Sequence, residues 1–181
     1  MSVLVGKPAP DFTAQAVMGD NAIEENFNLR TFTKGKYAVL FFYPLDFTFV
    51  CPTEILAFEH RLDEFRERRC EVIGVSVDSQ YTHLAWKNTP VEKGGLGAVR
   101  FPLVADLTKS IARDYDVLHD DSVALRGTFI IDRDGTIKTM EVHSNEIARA
   151  VKETVRKLKA AQYTAAHPGQ VCPAKWNEGA K

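Results

Sequence analysis

The stretch Phe41-Phe-Tyr-Pro-Leu-Asp-Phe-Thr-Phe-Val-Cys-Pro-Thr-Glu54 predicts a strand, a loop and a helix start, and the other predicted elements are arranged around it. Residues 38–43 form a short, continuous apolar run rich in aromatic and branched side chains, which is typical of a fully buried strand. Pro44 ends this strand, and Cys51 follows after a loop, directly before Pro52. Proline is favoured at the first position of a helix, because its missing N–H would have had no partner there.

The residues after Pro52 predict an amphipathic helix over residues 52–68. Apolar side chains recur at spacings of three and four, at Ile55, Phe58, Leu62 and Phe65. Cys51 therefore lies at a strand-to-helix turn, where unpaired N–H groups and the helix dipole favour a negative charge. Such a position favours the thiolate, which is the nucleophilic form of cysteine.

Further strands are predicted on both sides of this stretch. Residues 12–17 alternate in polarity, and the turn at Gly19 leads into a second short strand, so an N-terminal hairpin is expected. Residues 70–77 read as another buried strand. Residues 126–132 form a strand that continues through the turn Arg133-Asp-Gly135 into a return strand at 136–142.

The C-terminal part predicts a helix and a tail. Asn145 is expected to cap a long helix whose apolar stripe contains Ile147, Val151, Val155 and Leu158. Strand–helix–strand alternation followed by a hairpin and a helix predicts an open three-layer α/β domain with a mixed sheet. We expect this domain at residues 1–161 and a tail without clear periodicity at 162–181.

Composition restricts the possible functions. The chain has 181 residues, 45% hydrophobic and 26% charged, as in ordinary globular proteins. Its formal net charge is −1 and its pI about 6.5, so neither a nucleic-acid nor an anionic-membrane partner is expected. No signal peptide is recognised, and no apolar run approaches the roughly 18 residues that span a bilayer. Three cysteines, an odd number, argue against a secreted disulfide framework, so we expect a cytoplasmic protein with working thiols.

The role of Cys51 has competing interpretations. A free cysteine at an arbitrary position usually only fills space in the core. Thiol–disulfide oxidoreductases place Cys-x-x-Cys at such a turn, whereas this chain has Cys51-Pro-Thr-Glu54. An oxidised Cys51 must therefore be resolved by a distant thiol or stop at sulfenic acid. Cys70 begins a predicted buried strand and is interpreted as structural, while Cys172 lies in the tail and suits a resolving thiol.

Ionisation of the thiol cannot by itself account for an efficient enzyme. An ordinary thiol is about 3% ionised at pH 7, so complete ionisation raises its reactivity at most ~30-fold, or close to 2 kcal/mol. Enzymes commonly accelerate reactions by ~10⁶-fold or more. The site must therefore contain donors that stabilise charge developing on the bond being broken.

The pattern Pro44-x-x-x-Thr48-x-x-Cys51 resembles the active-site pattern of the peroxiredoxins, and its flanking residues resemble their typical two-cysteine, alkyl hydroperoxide reductase C-type branch. Similar stretches extend over nearly the whole chain, at residues 6–12, 83–90, 125–132 and 167–176. The resemblance implies a thioredoxin-like three-layer fold, with a central mixed sheet flanked by helices, an N-terminal hairpin and a C-terminal tail. It also implies a thiol-dependent peroxidase that reduces hydrogen peroxide and organic hydroperoxides.

The resemblance further implies how the two cysteines and their partners work. Cys51 would be oxidised by peroxide to a sulfenic acid, which Cys172 would resolve as an intersubunit disulfide. The assembly would be a homodimer that closes into a decamer of five dimers. A thioredoxin-like or flavoprotein disulfide reductase would complete the cycle, without a cofactor in this chain.

Four other residues acquire roles from the same resemblance. Thr48 would hydrogen-bond the thiolate and the peroxide, and Arg126 would hold the thiolate anionic and polarise the O–O bond. Glu54 would help to orient this arginine. Pro44 would shield the sulfenate from water.

Three other interpretations concern disulfide exchange, a holdase role and metal binding. A thiol–disulfide exchange protein is disfavoured because the second thiol of Cys-x-x-Cys is missing. A non-enzymatic holdase is the other alternative, as a role added to the peroxidase activity. A metal site is not expected, because the three cysteines lack ligand spacing and the five histidines are scattered. His83 and His119 are interpreted as surface or packing residues.

Overall fold

The computed structural model describes residues 3–179, and the chain divides into two compact units, residues 1–149 and 150–181. The strands are β1 (Thr13–Val17), β2 (Ile23–Asn28), β3 (Tyr37–Phe42), β4 (Cys70–Ser76), β5 (Leu103–Ala105), β6 (Leu118–His119), β7 (Val123–Ala124), β8 (Arg126–Ile131) and β9 (Ile137–His143). The helices are α1 (Leu29–Phe32), α2 (Cys51–His60), α3 (Leu62–Glu67), α4 (Gln80–Asn88), α5 (Ser110–Asp114) and α6 (Val151–Ala166), with a 3-10 turn at Val91–Lys93. The division into a domain at 1–161 and a tail at 162–181 stays a prediction.

Seven strands of the first unit form one mixed sheet in the order β2-β1-β5-β4-β3-β8-β9, and β6 and β7 form a separate short hairpin. The three central strands β3, β4 and β5 run parallel, and the outer pairs are antiparallel. Both hairpins expected from the turns at Gly19 and Gly135 are present, pairing β1 with β2 and β8 with β9. The predicted mixed sheet flanked by helices is confirmed.

Strand β3 is buried along its whole length, as its apolar sequence predicts. On one face, Phe42 contacts the rings of Tyr115 and Phe129 at centroid distances of 5.4 and 5.8 Å. On the other face, Phe41 stacks on Phe58 of α2 at 4.3 Å. Because successive side chains of a strand point to opposite faces, β3 is held from both sides. This packing fixes the point at which the chain leaves the sheet toward Cys51.

The helix predicted over 52–68 is divided into α2 and α3. At Arg61 the backbone N–H bonds to the Phe58 and Glu59 carbonyl oxygens, which closes α2 before α3 begins. The predicted apolar stripe continues across the break, and all four of its side chains are buried: Ile55, Phe58, Leu62 and Phe65. The two helices share one buried apolar stripe although their backbone hydrogen bonds are interrupted at Arg61. Burial of this stripe therefore determines the path of the segment.

In the second unit, α6 begins later and ends later than the sequence predicts. Its first residue is Val151, with Ala150 at the N-cap, so the prediction that Asn145 caps this helix is wrong. Ile147 is 59% exposed and lies outside the helix, whereas Val151, Val155 and Leu158 are buried as expected. The helix extends through Ala166, and an irregular segment follows. Across residues 3–179, we find no helix with the length and apolarity needed to cross a membrane.

Candidate active site

Cys51 is the first residue of α2 and its side chain is fully buried. Val50 occupies the N-cap without contributing a side-chain hydrogen bond, and Pro52 lies in the first turn, as the sequence predicts. The preceding residues 44–50, here called the pre-helix loop, connect β3 to this helix. The sulfur therefore lies at a helix start, where the helix dipole favours a negative charge, and outside contact with bulk water.

Arg126 brings a guanidinium to this sulfur from the first position of β8. Strands β3 and β8 pair antiparallel with Phe41 opposite Thr128, so the start of β8 lies beside the end of β3. Arg126 Nη1 donates to Cys51 Sγ at 3.3 Å and to Glu54 Oε1 at 2.5 Å. Its Nε donates to the Asn145 carbonyl oxygen at 2.9 Å, which fixes the plane of the guanidinium.

Glu54 is buried one helical turn after Cys51 and pairs with two arginines. Its Oε2 accepts hydrogen bonds from the Arg149 backbone N–H at 2.9 Å and from Arg149 Nε at 2.7 Å. Burial alone raises the pKa of Glu54, but the hydrogen bonds and charge of Arg149, with the charge of Arg126, outweigh it and leave the pKa lowered. The carboxylate therefore stays ionised and holds Arg126 against the sulfur.

Arg149 is a residue of the site that the sequence analysis missed. It is buried, its Nη1 donates to the Gly127 carbonyl oxygen at 2.7 Å, and its guanidinium carbon lies 5.1 Å from the centre of the Phe41 ring. The prediction that the helix starts at Asn145 placed Arg149 inside the helix, so Arg149 was not considered as a residue of the site. A signal was available in principle, since a buried Glu54 requires cationic partners.

The structure brings Arg126 into direct contact with both Cys51 and Glu54. Pro44 is buried at the start of the pre-helix loop, and Thr48 is half-buried within it. The Thr48 hydroxyl donates to the Leu45 carbonyl oxygen at 3.2 Å, so it is engaged inside the loop.

Cys172 belongs to the second unit. It is half-buried, with Sγ 3.9 Å from the Ala160 carbonyl oxygen of α6. Within residues 3–179, no group of three or more His, Cys, Asp or Glu side chains could hold a metal ion.

A buried sulfur beside a guanidinium is suited to nucleophilic attack. The positive charge stabilises a negative charge on Sγ, and the same donors can stabilise an oxygen that becomes anionic beside it. The low-dielectric surroundings strengthen both interactions. The arrangement can therefore support the displacement of an oxyanion by a thiolate.

Comparisons with known proteins agree with this chemistry. Residues 5–140 match the model of the AhpC/TSA family. Alkyl hydroperoxide reductase C of Helicobacter pylori is 51% identical over 179 residues, which cover 99% of this chain and 90% of that protein. Peroxiredoxin-2 of Rattus norvegicus is 54% identical over 176 residues, covering 97% and 87%. The solved structure of reduced 2-Cys peroxiredoxin from Plasmodium vivax matches with a TM-score of 0.95 at 51% identity, over 99% of this chain and 92% of that one.

The structural match confirms the thioredoxin-like fold that the sequence resemblance implied. The family match covers most of the chain, and the identities hold over nearly its full length. The chain therefore belongs to the AhpC/TSA family, and it is a peroxiredoxin-type, thiol-dependent peroxidase.

Proposed function

We propose that Cys51 is the peroxidatic cysteine and that Arg126 and Glu54 prepare it for attack. The Cys51 thiolate attacks the terminal oxygen of a hydroperoxide, ROOH. The S–O bond forms as the O–O bond breaks, and the leaving RO⁻ takes up a proton to give ROH, which leaves a sulfenic acid on Cys51. The observation that carries the proposal is the 3.3 Å contact between Arg126 Nη1 and Cys51 Sγ, in a site where both side chains are buried.

The other predicted residues belong to the same proposal. Thr48 turns its hydroxyl from the Leu45 carbonyl toward the sulfur and the incoming peroxide when substrate binds. Pro44 limits the access of water to the sulfenic acid. Because Cys51 has 0% exposure, entry of a peroxide requires a displacement of the pre-helix loop.

Resolution needs a larger movement than peroxide entry. We assign the resolving role to Cys172 of a second protomer, whose thiol attacks the Cys51 sulfur and releases water as the disulfide forms. A disulfide requires a Cα separation of about 4.4–6.8 Å, which a buried residue in an intact helical turn does not offer to another subunit. The turn from Cys51 to Glu54 therefore unwinds before the disulfide forms.

The proposal also includes the reductant and the assembly. A dithiol reductant, thioredoxin-like or a flavoprotein disulfide reductase, supplies two electrons and two protons to restore the thiols. Exposed apolar side chains in the pre-helix loop support association of the dimers into a decamer; they are Leu45, Phe47 and Phe49, with exposures of 39%, 50% and 98%. Free thiols suit a reducing compartment, and we propose the cytoplasm as the location.

Non-reducing electrophoresis after one equivalent of hydrogen peroxide tests the assignment. The wild type should form a covalent dimer, whereas Cys51→Ser and Cys172→Ser should each remain monomeric under denaturing conditions. Cys172→Ser should still consume one equivalent of peroxide in a single burst and retain a sulfenic acid that a dimedone probe detects. Normal turnover of Cys172→Ser with a protein reductase would contradict the resolving role.

A further inference from the structure

A buried amide oxygen without a partner lies on the segment that holds Arg126. Among the side chains of residues 3–179, Asn145 Oδ1 is shielded from solvent and accepts no hydrogen bond from the chain, although the residue as a whole is half-buried. Buried polar side-chain atoms are nearly always bonded, and an exception is explained by a catalytic role, strain or a bound molecule. An unbonded acceptor of this kind therefore indicates a donor that arrives from outside the chain.

The backbone places Asn145 beside the active site. Its carbonyl oxygen accepts a hydrogen bond from Arg126 Nε at 2.9 Å, and Nη1 of the same guanidinium donates to Cys51 Sγ at 3.3 Å. A single guanidinium group therefore separates this residue from the sulfur. Further along the segment, the Arg149 backbone N–H donates to Glu54 Oε2 at 2.9 Å. Both bonds hold the segment that carries Asn145 against the site.

The other polar groups of the site are donors or acceptors already in use. The guanidinium of Arg126 only donates, and both oxygens of the Glu54 carboxylate already accept hydrogen bonds from arginines. The Thr48 hydroxyl is engaged inside the pre-helix loop. Asn145 Oδ1 is therefore an acceptor with free capacity next to a strong donor.

A hydroperoxide needs both kinds of partner. In ROOH the terminal oxygen carries a hydrogen and is a donor, whereas the oxygen that leaves as RO⁻ becomes a strong acceptor. The Arg126 guanidinium suits the leaving oxygen, and an amide oxygen suits the terminal O–H. Because the thiolate attacks the terminal oxygen, these two contacts together orient the O–O bond toward the sulfur.

We propose that Asn145 Oδ1 accepts a hydrogen bond from the terminal O–H of the hydroperoxide and thereby selects the oxygen that Cys51 attacks. The inference rests on the proposed peroxidatic role of Cys51, and it adds a substrate contact outside the motif that contains Pro44, Thr48 and Cys51. As the S–O bond forms and the O–O bond breaks, the terminal oxygen keeps its hydrogen and becomes the O–H of the sulfenic acid. The leaving RO⁻ takes up a proton from solvent to give ROH, so Asn145 neither gives nor takes a proton.

The Asn145 side chain can be changed without removing the bond to Arg126, because that bond comes from the backbone carbonyl. Asn145→Leu deletes the amide oxygen at similar side-chain size, and Asn145→Ala deletes it without added carbon atoms. Since the leucine variant loses a buried, unbonded acceptor, its urea midpoint should be at least that of the wild type. Asn88 of α4 is exposed and its Oδ1 accepts from Asn21 Nδ2 at 3.4 Å, so Asn88→Leu is the matched control.

Stopped-flow oxidation of Cys51 by hydrogen peroxide and by tert-butyl hydroperoxide measures the contact in the reduced, full-length protein. Both Asn145 variants should lower the second-order rate constant about five- to tenfold, which is the effect of one lost hydrogen bond. Alkylation of Cys51 by iodoacetamide, followed by peptide mass spectrometry, involves no O–H group. Its rate should stay within about twofold of the wild type, because it reports the thiolate alone. Asn88→Leu should match the wild type in both reactions.

Three outcomes would contradict these assignments in different ways. Unchanged peroxide rates in both Asn145 variants would overturn the proposal and leave the peroxidatic role intact. An equal loss of peroxide and iodoacetamide reactivity would also overturn it, because the side chain would then act on the thiolate and not on the substrate. Full peroxidase activity in Cys51→Ser would instead overturn the proposed function, whatever the Asn145 variants show.

Discussion

Cys51 and Cys70 are both buried thiols at the ends of neighbouring parallel strands, yet their electrostatic surroundings differ. Cys51 follows the C-terminal end of β3, whereas Cys70 begins β4 opposite Tyr37, so the two residues lie toward opposite ends of these parallel strands. Cys51 receives a guanidinium from Arg126. Cys70 has arginines beside it in sequence, but its Sγ is directed at the Glu71 carbonyl oxygen at 3.6 Å.

The consequence for Cys70 is an inert thiol. Burial, reinforced by the Glu71 charge, raises the pKa of Cys70 far above its ordinary value, so the sulfur stays protonated. Burial is thus common to the two sites, and the difference between them is a cation in contact. Neighbours in sequence do not supply that cation, because a guanidinium must be aimed at the sulfur to act on it.

The largest difference between the two sites should be in the peroxidase activity that remains after each sulfur is removed. Cys51→Ala should lower peroxidase activity at least about 10³-fold, because the reacting atom is lost. Cys70→Ala should leave turnover within about twofold, since the substitution only removes a buried side-chain atom. Peroxide consumption with dithiothreitol as reductant measures both. An equal loss in the two variants would abolish the distinction between the sites.

Removal of the cation should weaken the Cys51 site without unfolding it. Arg126→Met should lower the rate of the first oxidation step about 10²–10³-fold, as the loss of a charge-stabilising donor does in other enzymes. Arg126→Lys should lose less, because it keeps the charge but not the paired donors. Stopped-flow kinetics with one equivalent of peroxide gives the rates, and circular dichroism serves as the control. A wild-type rate in Arg126→Met would remove the guanidinium from the mechanism.

Glu54 should contribute to stability in a pH-dependent way. Because its pKa is lower in the folded protein than in the unfolded chain, its contribution is present above about pH 4.5 and is lost as the pH falls further. Glu54→Gln should therefore destabilise the protein by about 3–5 kcal/mol at pH 7, since it leaves buried guanidinium charge uncompensated. The difference from wild type should shrink toward pH 3. Urea midpoints at several pH values measure it, and a pH-independent difference would contradict the charge argument.

The smallest expected effect is that of Cys70 on stability, and it should depend on pH in the alkaline range. Its raised pKa means that the folded protein keeps a proton that the unfolded chain releases above about pH 8.5. The stabilising contribution is therefore full below that pH and falls above it, by up to about 1.4 kcal/mol per pH unit. Cys70→Ala should be about 1 kcal/mol less stable than wild type at pH 7 and should lose this disadvantage by pH 10. A constant gap in urea midpoints between pH 7 and 10 would contradict the assignment.

The local elements around Cys51 could be predicted well. The strand is predicted by the apolar run at 38–43, the loop by Pro44, and the helix by the apolar spacing from Ile55 to Phe65. These predictions succeed because the periodicity of a strand or helix depends on residues close together in sequence. The start of α6 could not be predicted in the same way. Asn145 resembles an N-cap, but its backbone carbonyl is used by Arg126, and the helix begins six residues later.

His83 illustrates the same limit. Sequence pattern alone does not distinguish a packing role from a surface position for His83, and its partner Asp46 lies 37 positions away. The imidazole is buried with both nitrogens bonded. Only the juxtaposition of the pre-helix loop, α4 and β5 gives it a partner at each ring nitrogen.

Residue patterns alone predict a strand-to-helix turn with Cys51 at the helix start, and the motifs predict the family. Which charged groups meet the sulfur depends on the fold. Arg126 and Arg149 are 75 and 95 positions away from the residues they contact in α2, and the pairing of β3 with β8 brings Arg126 to Cys51. The physical reason is that secondary structure depends on local periodicity, whereas a buried charge is stabilised only by partners that the fold delivers from distant parts of the chain.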